Sequence, residues 1–157
     1  MNRLRSRNGI MLRRDCVPDT DLICVYLDAN VLFSAPYRAE SRFLQFWSMV
    51  GKAPVTSPYA IGEASRHTRR PDHRARLDAL VVKTAIVSDA DARYVPDSVV
   101  QAAKDRSIPA AAMFASVDGL ITGDKSGFGH LYGYRVAGAL VLSPMKFLDR
   151  HASRLID

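Results

Sequence analysis

A chain of 157 residues is long enough for one domain with a single buried core, and 48% apolar with 24% charged residues is the balance of a globular protein. No apolar run approaches the ~18 residues that a membrane-spanning helix needs, so the sequence predicts no membrane segment. The net charge of +6 suggests a polyanionic partner, yet half of it lies in the first 20 residues, where Arg3, Arg5, Arg7, Arg13 and Arg14 face only Asp15 and Asp19.

Those first residues show no apolar periodicity, and Ile10-Met11-Leu12 is too short for a signal-peptide core. A disordered basic extension over 1–20 is expected, with Met11 as an alternative start, followed by one domain over 21–157. Cys16 and Cys24 make no disulfide framework. Cys24 sits in an apolar run as a small hydrophobe, and a reducing cytoplasm is the expected setting.

Residues 22–27 (LICVYL) read as a buried strand ending at Asp28. A helix is expected over 40–50, where Phe43, Leu44, Phe46, Trp47 and Val50 pack into the core. Residues 55–57 form a short strand, and Pro58 opens a helix carrying Ile61, Glu63 and Ala64. Pro71 breaks the chain, and Asp72 is expected to cap a helix running to about Lys83. A strand at 84–87, a loop or short helical turn at 89–93 and a helix at 99–103 follow. Ser107 caps a small-residue helix over 108–116, residues 119–122 (GLIT) form a strand, and a glycine-rich turn spans 123–129. A last strand is expected over 136–142, before a helix opened by Pro144. Strands alternating with helices predict an α/β/α sandwich of three layers around a mainly parallel sheet.

In such a sheet, ligands bind beyond the carboxyl ends of the strands. Asp28 ends the first strand, Glu63 lies one turn into the helix after the second, Asp105 precedes a helix N-terminus, and Asp124 follows the GLIT strand. Four acids at intervals of 35, 42 and 19 residues are thereby aimed at one sheet edge. Two carboxylates ~5 Å apart at an effective dielectric of ~20 repel by about 3 kcal/mol, so such a cluster calls for protons, lysines or a metal. All-oxygen ligation suits Mg2+ or Mn2+, which lowers the pKa of a bound water and neutralises charge on a phosphate. Taken singly, each acid also reads as a cap or turn former. Asp118 begins the GLIT strand, at the opposite edge, and is expected to be structural.

Tyr26-Leu27-Asp28-Ala29-Asn30-Val31-Leu32, Ile61-Gly62-Glu63, Lys104-Asp105-Arg106 and Ile121-Thr122-Gly123-Asp124-Lys125 resemble, in order, the successive motifs of PIN domains. So do Phe128-Gly129-His130-Leu131-Tyr132-Gly133 and Val141-Leu142-Ser143-Pro144, and the likeness, nearest to VapC-type toxins and bacterial relatives, covers about residues 22–150. It implies a PIN-like fold and a metal-dependent endoribonuclease. Asp28, Glu63, Asp105 and Asp124 would be the catalytic ligands of Mg2+ or Mn2+, with Asn30 and Thr122 supporting them. It implies as partners an RNA substrate, an antitoxin protein and a homodimer. Residue 29, often threonine or serine in that family, is alanine here, which removes a hydroxyl but no charge.

The stretch from Arg66 to Arg76 holds five arginines and one acid without an aromatic residue. Arg66, Arg69, Arg70 and Arg74 are suited to tracking RNA phosphates, and equally to a solvated face. His67, His73, His130 and His151 lack zinc-like spacing and are assigned surface or packing roles. Three rival functions stand beside a toxin ribonuclease. They are a PIN ribonuclease of RNA processing, a non-catalytic binding module, and a phosphatase with Asp28 as nucleophile, which would want a second aspartate where Asn30 stands.

Overall fold

The computed structural model describes residues 23–37, 40–49, 51–90, 95, 107–136 and 138–151. The N-terminal extension, the helix expected at 99–103 and the candidate ligand Asp105 all lie outside the described residues.

The strands are β1 (Ile23–Leu27), β2 (Lys52–Thr56), β3 (Ala85–Ile86), β4 (Gly119–Ile121), β5 (Arg135–Val136) and β6 (Ala139–Leu142). Among the described residues they form a six-stranded sheet in the order β3-β2-β1-β4-β6-β5, parallel throughout except for the β5–β6 pair. Val25, Tyr26 and Leu27 are at most 2% exposed, because a central parallel strand is covered on both faces. That is why β1 appears in the sequence as an unbroken apolar run rather than an alternating one.

The helices are α1 (Ala29–Ser34), α2 (Pro58–His67), α3 (Pro71–Val82), α4 (Ser107–Phe114), α5 (Lys125–Phe128) and α6 (Pro144–Arg150). Helix α2 packs against α1, α3 and α4, whereas α6 packs against a 3-10 segment, Arg42–Trp47, through the rings of Phe46 and Phe147 with centroids 5.6 Å apart. The result is the α/β/α sandwich expected from the sequence. No helix among the described residues is long and apolar enough to cross a membrane.

Several elements differ from expectation. Within the segment expected as an α-helix over 40–50, Arg42–Trp47 is the tighter 3-10 turn, which aligns residues three apart and sets Phe43 edge-on to Phe46, while Val50 lies outside the described residues. Its aromatic side chains do pack inward, and the Trp47 indole donates to Thr84 Oγ1 at 2.8 Å. Asp72 is not the cap of α3. Pro71 occupies the first helical position and Asp72 the next, where its carboxylate accepts from Arg70 Nε and Nη2. Helix α4 starts at Ser107 itself. The single strand expected over 136–142 is a hairpin, in which Val136 faces Ala139 and Gly138 takes φ +86°, a conformation glycine adopts without steric cost. The glycine-rich turn contains α5, and α1 has no counterpart in the sequence-based expectation.

Candidate functional site

The chain enters the sheet at its centre. From β1 it moves outward to β2 and β3, then returns to the other side of β1 with β4. The crevice beyond β1 and β4 is therefore the point where the winding reverses, the place where open α/β sheets bind ligands. A cleft of about 620 Å³ opens there, lined by Asp28, Glu63 and Asp124 among others.

Parallel pairing sets Leu27 beside Ile121, so the next residues, Asp28 and Thr122, emerge side by side. Both are buried, and the Thr122 hydroxyl donates to Asp28 Oδ2 at 2.6 Å. The same hydroxyl oxygen accepts the Asp124 amide at 3.1 Å and the Asn30 side-chain amide at 3.4 Å, which fills its one donor and two acceptor positions. Asn30 Nδ2 also reaches Asp28 Oδ2 at 3.3 Å, while its Oδ1 accepts the Gly123 amide at 2.9 Å. A Cβ on Gly123 would stand 3.3 Å from that Asn30 oxygen, so glycine there lets the two loops close together. Asn30 and Thr122 thus tie the Asp28 loop to the Asp124 loop.

Asp28 and Asp124 each begin a helix. Asp28 caps α1, its Oδ1 accepting from the Ala29 amide, and Asp124 caps α5, its Oδ1 accepting from the Gly127 amide and the Ser126 hydroxyl. The cap role and the cleft position therefore coincide in the same carboxylates. Tyr132 closes the arrangement from below, donating its phenol to the Thr122 carbonyl at 2.7 Å. Burial, then the negative charges of Asp124 and Asp28, push the Tyr132 phenol pKa up, so it remains a neutral donor.

Glu63 comes from α2, which Pro58 opens. Ser57, at the capping position, is instead bonded to the Tyr26 phenol at 2.6 Å, and Asp89 Oδ1 takes the Tyr59 amide at 3.0 Å. Glu63 is half-buried and paired with the exposed Arg66 at 2.6 Å. Among the described residues no three acids or histidines are grouped closely enough to hold a metal ion. The Asp28, Glu63 and Asp124 carboxylates and the Asn30 amide line the cleft beside the His67 imidazole, and carboxylate and amide oxygens are the ligand type that magnesium and manganese take.

The four arginines singled out in the sequence have different fates. Arg66 is held by Glu63, Arg70 by Asp72, and Arg74 donates to the Ser65 carbonyl at 2.9 Å. Arg69 lines the cleft and makes no hydrogen bond or ion pair with the described residues. The cleft also has an aromatic wall that the sequence reasoning missed, formed by Phe33, Tyr59, His67 and Phe128. Its signal was present, because Tyr59, Glu63 and His67 recur every fourth residue and so share one face of α2. Asp118 stands at the other end of the sheet, where Oδ2 accepts the Cys24 amide at 2.8 Å, a structural role.

No family model and no curated protein matches this chain. Among solved structures it is similar to a chain of VapBC2 from Rickettsia felis bound to a DNA fragment from their promoter. The TM-score is 0.55 at 12% identity, over 77% of this chain and 98% of that one. At that identity the likeness concerns the fold.

Proposed function

We propose that this chain is a metal-dependent endoribonuclease of the PIN type, acting as the toxin of a toxin–antitoxin pair. The observation that carries the reading is the meeting of Asp28, Glu63 and Asp124 on one cleft at the carboxyl edge of a parallel sheet. Similarity in fold to a VapBC2 chain supports the toxin half of it. Asp28, Glu63 and Asp124, joined by Asp105, would hold Mg2+ or Mn2+, which when bound activates a water and neutralises charge on the phosphate. Thr122 and Asn30 keep the Asp28 carboxylate in one orientation through their hydrogen bonds. Arg69, on the same cleft, would engage a backbone phosphate beside the acids.

The phosphatase alternative is disfavoured by Asn30. Its amide is committed on both ends to Asp28 and Gly123, and it carries no acid to protonate a leaving group. The toxin role needs external control, and an antitoxin that inserts an arginine among the acids would pair them bidentately. The test is incubation of the purified chain with mixed RNA and DNA, with manganese or with chelator, followed by sequencing of the new ends. Chelator-sensitive breaks confined to RNA are expected. Intact RNA in manganese would overturn the reading.

A further inference from the structure

The acids account for only part of the cleft. Along α2 the residues lining it are Tyr59, Glu63, Ala64 and His67, and Tyr59, Glu63 and His67 are successive turns of one stripe with the acid in the middle. Four residues at ~1.5 Å rise separate neighbours in the stripe by about 6 Å. His67 is exposed, and the half-buried ring of Phe33 on α1 meets it nearly at right angles, 82° between planes with centroids 6.2 Å apart. A perpendicular contact covers at most one face of a ring, so Phe33 braces the imidazole and leaves it a face for another planar group. Arg69 follows two residues later on the same cleft, with no partner among the described residues.

An exposed aromatic face, a brace behind it and an uncommitted guanidinium beside it match the needs of one ligand chemistry. A nucleotide offers a flat base with an anionic phosphate close by, and base stacking on aromatic or guanidinium planes is how unpaired RNA is gripped. A duplex would keep its bases paired and unavailable for such a contact. We propose that Phe33, His67 and Arg69 form a nucleotide subsite, in which His67 stacks an unpaired nucleobase of the RNA and Arg69 pairs with the adjoining phosphate. The proposal rests on the ribonuclease reading for its choice of RNA. It adds that substrate is held through a base one helical turn from Glu63, so the cut falls at a fixed offset from a stacked, unpaired nucleotide.

The test uses the full chain carrying Asp28→Asn, so that RNA is bound without being cut, and a single-stranded RNA with 2-aminopurine at successive positions. Stacking should quench the fluorescence at one position. His67→Ala should abolish that quench and weaken binding about tenfold, the loss of one stacked base. His67→Phe should retain both, which excludes a general folding defect as the cause. Arg69→Ser should keep the quench and lower the log–log salt slope by about 0.7. Unchanged quenching in His67→Ala, or equal quenching of a fully paired duplex, would overturn the subsite. So would preferential binding of the matching DNA strand. Wild-type cleavage is measured alongside. If the chain cuts no RNA yet shows quenching that depends on His67, the nuclease reading falls and the subsite stands.

Discussion

Thr122 donates its hydroxyl to the buried carboxylate of Asp28 at 2.6 Å, although the two are 94 residues apart in sequence. The bond follows from register alone, since β1 and β4 run parallel and deliver both residues to the same level of the sheet edge. A hydrogen bond to a charged group contributes about 1.5–3 kcal/mol, and its loss leaves a buried acceptor short of a donor. Thr122→Val should therefore lower stability by about 2 kcal/mol in urea denaturation. Thr122→Ser, which keeps the hydroxyl, should lose less than half of that. A Thr122→Val variant as stable as wild type, with the loss confined to Thr122→Ser, would mean that only the methyl group matters.

Because Asp28 and Asp124 are helix caps as well as cleft acids, the choice of substitution decides what is learned. Asp28→Asn, Glu63→Gln, Asp105→Asn and Asp124→Asn should each abolish or severely reduce metal-dependent cleavage. An asparagine can still cap, so Asp124→Asn should melt near wild type, whereas Asp124→Ala should lose about 1 kcal/mol. In manganese at about 100 times its Kd, wild type should gain about 2.7 kcal/mol and the neutralised variants much less. Scanning calorimetry with chelator and with manganese measures both effects.

The basic stretch separates into arginines bonded to described residues and Arg69, which lines the cleft. Arg70 and Arg74 are bonded to Asp72 and to the Ser65 carbonyl respectively. Replacing both with serine should leave the salt dependence of RNA binding unchanged while lowering thermal stability slightly. A slope reduced by about 1.4, two contacts' worth for a single strand, would reassign them to RNA.

The phenol of Tyr132 has a pKa raised first by burial and then by Asp124 and Asp28. Its neutral form is favoured by folding, so that contribution is fully present below the ordinary phenol value of about 10 and declines as pH climbs through the raised one. Tyr132→Phe should remove this part of the alkaline loss of stability, measured as melting temperature against pH with wild type alongside. Parallel curves would place the phenol outside the electrostatic reach of the acids.

Toxicity separates the two ribonuclease readings. Induced expression of the wild-type chain in bacteria should arrest growth, and Asp28→Asn at matched protein level should not. Equal growth of both would count against the toxin role while leaving nuclease activity to be judged on the RNA ends.

The strand ends were legible because strand periodicity and turn residues are local. LICVYL reads as a buried strand, which puts Asp28 at its carboxyl end, and β1 is found over Ile23–Leu27. The arrangement around Asp28 was not legible in the same way. Helix α1 has six residues, too few to show an apolar period, and its capping carboxylate looks in sequence like any turn former. Which arginine would face the cleft depends on tertiary partners. Arg66 lies on α2 with Glu63 three residues before it, whereas Arg69 lies beyond the end of that helix. The hairpin of β5 and β6 was hidden because Ala137 and Gly138 interrupt an otherwise continuous apolar run by only two residues.

Among the described residues the sheet ends in β3 on one side and β5 on the other, and each is two residues long. An outermost strand presents unpaired amides and carbonyls to solvent, and a long flat one recruits strands from other molecules. Two residues offer too few such groups for an incoming chain to register against. Lengthening either border, for instance by grafting a valine- and threonine-rich segment onto β3, would create a template for self-association. The brevity of these two strands thus works against aggregation through the described sheet.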